Sequence, residues 1–97
     1  MGKLVRDKIP DIIKQSGILP KVIVLADDEY SVELDKKLDE EVAEYHKDHT
    51  VEELIDILEV IVAIGNTKGY SLEDLLLKRL TKRISRGGFD NKIFLIK

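Results

Sequence analysis

Two pairs of carboxylates hold the chemistry this sequence can do: Glu41 with Glu44, and Glu53 with Asp56. The spacing within each pair is three residues, so on a helix both side chains share one part of a face, a turn apart. Glu41 falls in the series Leu34, Leu38, Glu41, Tyr45, whose spacing marks a buried seam, and it sits where an apolar residue is expected. The Glu53–Asp56 stripe continues into Val60 and Ala63. Two such helices joined by a short turn lie antiparallel with their loop-proximal halves side by side, and the four carboxylates converge. Ionised carboxylates gathered where water is scarce need a compensating cation. An all-oxygen set suits a hard divalent ion, Mg²⁺ or Mn²⁺, better than zinc. A plainer arrangement uses the same residues: Lys37 lies one turn before Glu41, Glu53 can act only as a cap, and acidic helix faces are commonly just solvated. On spacing alone both readings stand. Glu40 and Glu52 read as solvated surface, and Glu59 as an outer or additional ligand.

His46 and His49 do not complete a di-iron pattern, which needs Glu-x-x-His; the residues three before them are Ala43 and His46. Both are expected in water, at a helix end and in the loop. Lys78, Lys82 and Arg86 recur every four residues, with Arg79 and Arg83 beside them, and the N-terminus adds Lys3, Arg6 and Lys8. Such a stripe is ordinarily a solvated face. Next to a metal-binding carboxylate group it also makes a clamp for a polyphosphate. There is no G-x-x-x-x-G-K phosphate loop. There is no cysteine, which excludes disulfides, thiolate zinc sites, iron–sulfur clusters and cysteine nucleophiles.

The elements that must position these groups are helical. The pattern predicts a helix from about Asp28 to Lys47, with Leu34, Leu38, Val42 and Tyr45 on one face. Thr50 followed by Glu53 opens a second helix that ends near Gly69, and Ser71 followed by Asp74 opens a third that Gly87-Gly88 stops. Residues Val5–Lys14 form a further short helical segment, started or interrupted by Pro10. Lys21–Leu25 and Lys92–Ile96 read as short β segments that pair as a ribbon, within one chain or across two. The expected fold is all-α: a helical hairpin plus a further helix, forming a four-helix-bundle-type oligomer, with short terminal β segments. The oligomer follows from the second helix, where Leu54, Ile55, Ile57, Leu58, Val60, Ile61, Val62 and Ile64 leave almost no polar face. A helix apolar all round must be covered on all sides, and a homodimer or homotetramer would do so.

Ninety-seven residues make one domain, 1–97, with no repeat, linker or low-complexity tract. Apolar residues are 43% and charged residues 36%, a globular balance rather than a disordered one. The net charge of −3 hides a pattern: residues 26–59 carry three basic against fourteen acidic side chains, between two basic ends. A nucleic-acid polymer would want one continuous basic face, so that class of partner is not expected. No apolar run approaches the ~18–20 residues of a membrane span, and the N-terminus has no signal-peptide core. The expectation is a soluble cytoplasmic protein with no membrane partner.

Three features together resemble one enzyme family. They are the opening Lys3-Leu4-Val5-Arg6-Asp7-Lys8-Ile9-Pro10, the series Glu40-Glu41-x-x-Glu44 followed by Glu52-Glu53-x-x-Asp56, and the ending Arg86-Gly87-Gly88-Phe89. The sequence resembles the MazG-like branch of the all-α nucleoside triphosphate pyrophosphohydrolases, relatives of phosphoribosyl-ATP pyrophosphohydrolase. The resemblance implies that Glu41, Glu44, Glu53 and Asp56 are Mg²⁺ ligands and catalytic groups. It implies hydrolysis of a nucleoside triphosphate, standard or modified, to monophosphate and pyrophosphate. Lys82 and Arg86 are then the first candidates for phosphate contacts, followed by Arg6 and Lys8. Two alternatives remain beside it: phosphoribosyl-ATP hydrolysis, and a non-catalytic helical oligomerisation or regulatory module.

Overall fold

Capping residues ahead of apolar-periodic runs decide where the helices begin. The computed structural model describes residues 2–97, and among them are four helices: α1 (Ile9–Gln15), α2 (Asp27–Asp48), α3 (Val51–Thr67) and α4 (Leu72–Arg86). Pro10 lies in the first turn of α1, where its missing N–H is not needed, so it starts this helix rather than breaking it. Asp27, Asp28 and Glu29 fill the first turn of α2 and suit its positive end. The Glu29 carboxylate also accepts the Ala26 N–H at 3.4 Å. At the far end His49 turns left-handed, at φ 53°, and its N–H donates to the Tyr45 carbonyl at 2.7 Å.

Thr50 then caps α3, its hydroxyl accepting from the Glu53 N–H at 3.4 Å. A Schellman turn ends that helix. The Tyr70 N–H donates to the Gly65 carbonyl at 2.9 Å and the Gly69 N–H to Asn66 at 3.1 Å, with Gly69 at φ 85°. Ser71 opens α4 reciprocally: its hydroxyl accepts the Asp74 N–H at 3.1 Å while the Asp74 carboxylate accepts the Ser71 N–H at 2.9 Å. Those hydrogen bonds from Ser71 hold the Asp74 carboxyl below its ordinary range.

The hairpin of α2 and α3 is the body of the fold, and α4 packs on α3; among the described residues α1 packs against no other helix. The apolar core is small, centred on Leu34 at 3% exposure and on Val60. Gly65 is buried where α4 approaches, and a Cβ there would stand 2.8 Å from Leu75 Cδ1. Gly65→Val is therefore expected to push Leu75 out of place and cost ~1–3 kcal/mol, read as a lower denaturant midpoint. An unchanged midpoint would mean that α4 is not seated there.

The expected β ribbon does not form. Among the described residues there is no strand, and both Lys21–Leu25 and Lys92–Ile96 run as irregular chain. Val24 is 99% exposed and Phe94 87%. Their β-branched and aromatic content favours extended backbone, but a strand exists only when paired, and neither run finds an edge within this chain.

Nor does a single chain cover α3, for Leu54, Ile55, Leu58 and Ile61 all stay exposed. The radius of gyration is 17.2 Å, against ~12.5 Å for a compact chain of this length. Among the described residues, no helix is long and apolar enough to cross a membrane.

Candidate functional site

The tight His49–Thr50 connection lays the C-terminal half of α2 against the N-terminal half of α3, and the paired carboxylates meet across that seam. Carboxylate oxygens of Glu41, Glu53 and Asp56 all lie within 4.8 Å of one another. A second trio, Glu44, Asp48 and Glu53, meets the same limit, so Glu53 belongs to both. Glu41 is 9% exposed, Glu53 and Asp56 are half-buried, and Glu44 and Asp48 face solvent. The four carboxylates expected to converge do not form one group: Glu53 meets Glu41 and Asp56 in one trio, and Glu44 with Asp48 in the other. The donor set is hard and all-oxygen, the chemistry that suits Mg²⁺ or Mn²⁺.

The electrostatics of the group follow from its crowding. Removal from water raises the Glu53 carboxyl above its ordinary value, and the neighbouring Asp48, Asp56, Glu44 and Glu41 push it the same way. Two cations answer the charge. Lys37, on α2, places Nζ 3.3 Å from Glu41 and 3.4 Å from Glu40. Arg6, from the segment before α1, donates to Asp56 Oδ1 at 2.7 Å.

Beside the carboxylates lies a cleft of about 430 Å³ whose lining includes Arg6, Tyr30, Lys37, Glu41, Asp56 and Glu59. The backbone stretch from Lys3 to Asp7 forms one wall, and Val60 and Ala63 of α3 add apolar floor. Of the basic residues picked out for phosphate contact, Arg6 alone lines this cleft. Lys8 is exposed at the N-terminal end of α1, outside the lining. Lys82 and Arg86 are exposed on α4 and are likewise outside it. Arg83, beside them, pairs instead with Asp90 at 2.7 Å. His46 and His49 are exposed, with their rings edge-on to Tyr45.

Two participants carry no expectation from the sequence, Asp48 and Tyr30, and a third, Arg6, has a partner other than the one expected. Asp48 was legible as the residue four beyond Glu44, one more turn along the same face. Tyr30 carried no signal of its own, because its place in the cleft wall depends on how the N-terminal segment folds over α2. Arg6 was read as a phosphate contact, whereas its partner in this structure is Asp56.

No family model matches the chain, and no solved structure matches it. A stretch of 44 residues is 59% identical to a protein of Mycolicibacterium smegmatis described as uncharacterized. That similarity covers 45% of this chain and 45% of the relative, so the match spans about half the length of either protein.

Proposed function

We propose that this chain is a divalent-metal-dependent hydrolase that converts nucleoside triphosphates into nucleoside monophosphate and pyrophosphate. The observation that carries the reading is the double carboxylate trio sharing Glu53, set beside a cleft with Arg6 and Lys37 in its wall. The resemblance of the carboxylate series, the opening segment and the closing turn to MazG-like enzymes supports it from the sequence side. On this reading Glu41, Glu44, Glu53 and Asp56 hold Mg²⁺, or Mn²⁺ in its place, and Asp48 offers a further oxygen.

Bound there, a divalent ion supplies charge neutralisation for the phosphates and a lowered pKa for water. The chain's own residues hold that charge, wall off one side of the cleft and accept a proton. Water adds at the α–β anhydride, the bond to the departing pyrophosphate breaks, and a carboxylate of the group takes up the water's proton. A cleft of about 430 Å³ is within the ~300–1,000 Å³ of small-molecule sites.

A homodimer or homotetramer belongs to the same proposal, because the exposed apolar stripes of α3 and α4 need cover. The working compartment is the cytoplasm, where nucleoside triphosphates are held.

The test is pyrophosphate release over a panel of standard and modified triphosphates plus phosphoribosyl-ATP, with and without Mg²⁺, with the nucleotide product identified. Metal-dependent formation of monophosphate and pyrophosphate is the expected result. Turnover of phosphoribosyl-ATP well above every triphosphate would move the assignment to that substrate. Silence across the panel from folded protein would overturn the enzyme reading in favour of a binding module.

A further inference from the structure

The two cations that touch the carboxylate group are placed unlike ordinary surface partners. Lys37 precedes Glu41 by four residues, the order in which a helical Lys–Glu pair stabilises the helix least. Yet it is among the less exposed lysines, and its ammonium is shared between Glu41 and the more exposed Glu40. Arg6 comes from fifty residues away in sequence, on a segment whose following helix packs against no other, and it ends on an oxygen of Asp56. Both contacts therefore fall on carboxylates of the Glu41–Glu53–Asp56 trio, one from each side.

Each cation also has somewhere to go. Lys37 can release Glu41 and stay on Glu40, and the half-exposed Arg6 can return to water. Glu41 by contrast is nine-tenths buried, and once Lys37 lets go it needs another positive charge.

Resting on the metal reading above, we infer that Arg6 and Lys37 are exchangeable counter-ions that the chain supplies to its own carboxylate group. An entering divalent ion competes with Arg6 for Asp56 and with Lys37 for Glu41. These two side chains act as positioning residues and set the threshold concentration of metal at which the site loads. Displacing Arg6 also unfastens the N-terminal segment and leaves a guanidinium free at the cleft wall, where an anionic ligand would meet it.

The test is titration of the full chain with MgCl₂ or MnCl₂ alone, read by calorimetry and by metal-dependent thermal shift. The proteins are wild type, Arg6→Met, Lys37→Met and a control, Lys36→Met, whose lysine pairs with Glu33 away from the group. Removing a competing cation is expected to tighten metal binding about fivefold for Arg6→Met and about tenfold for Lys37→Met, with Lys36→Met unchanged. A merely structural lysine or arginine would lower stability equally with and without metal and leave the metal affinity where it was; that result overturns the inference while the metal site stands. Absence of any metal response in wild type overturns the metal reading and this inference with it.

Should Lys37→Met not fold, Arg6→Met on the exposed segment and trypsin cleavage of wild type still decide the matter. Metal is expected to speed cleavage after Arg6, and protection by metal would overturn the exchange.

Discussion

Glu53→Gln is expected to remove the response of the protein to divalent metal altogether and, without metal, to raise its melting temperature at pH 7. Glu53 supplies an oxygen to both carboxylate trios, so Gln leaves each with two charged carboxylates and a weakly ligating amide oxygen, whereas Asp56→Asn or Asp48→Asn weakens only one. Gln keeps the size of the side chain and leaves the backbone N–H of residue 53 bonded to Thr50, so the start of α3 is preserved. A metal ion present at about 100 times its Kd stabilises a fold by ~2.7 kcal/mol, a shift on the order of 10 °C for a domain of this size; that shift is what the variant should lose.

The metal-free gain has a definite sign. The folded-state carboxyl of Glu53 titrates above its ordinary value, so folding favours its protonated form. That contribution is fully present below the ordinary carboxylate range and is lost as pH rises through the raised value. At pH 7 the charged Glu53 works against its four neighbours, and a neutral amide relieves the repulsion. Melting curves at pH 4 and pH 7, with and without Mg²⁺, check both halves. A variant that kept the full metal shift would remove Glu53 from the site, and one that melted lower at pH 7 without metal would show that the carboxylates are not crowded.

What could be read from the chain was what depends on neighbours three and four residues away. The helix expected from about Asp28 to Lys47 runs from Asp27 to Asp48, and Thr50 and Ser71 cap where their spacing to Glu53 and Asp74 says they should. The approach of Glu53 to Glu41 and Asp56, and separately to Glu44, was legible for the same reason, since the helical repeat and one short turn determine it. Apart from Asp48, one turn beyond Glu44, the failures are contacts at long sequence separation. Lys21–Leu25 and Lys92–Ile96 have strand composition, but pairing is a property of two segments and neither run declares a partner. Arg6 on Asp56 joins residues fifty positions apart, and no local periodicity connects them. The basic stripe of α4 was tied to the carboxylates by charge alone, but α4 packs on α3 and leaves Lys82 and Arg86 outside the cleft.

On the proposed homo-oligomer, Leu58→Lys is expected to leave a monomer with a much lower melting temperature. The chain exposes 8856 Å², whereas a compact monomer of 11.1 kDa exposes ~5,700 Å². The excess is of the order that obligate dimers hide between them. It is apolar where it matters: Leu54, Leu58 and Ile61 form a stripe on α3, and Leu72, Leu76, Leu80 and Ile84 form another on α4. Spacing of four and three residues on α3 and of four on α4 gives ridges that a second copy of the same pair can interlock.

With so few buried apolar side chains, one chain has little to set against its conformational entropy. Folding and association should therefore be coupled, with a melting temperature that climbs with protein concentration. A lysine in the middle of the α3 stripe places a charge at the centre of that contact and should cost several kcal/mol of association, on the scale of a buried unpaired charge. Light scattering and concentration-dependent melting read the result. A wild-type chain that stayed monomeric, melted cooperatively at one temperature over a hundredfold concentration range, and tolerated the lysine would mean that the exposed stripes face water. The carboxylate group would then have to work with the basic residues of its own chain alone.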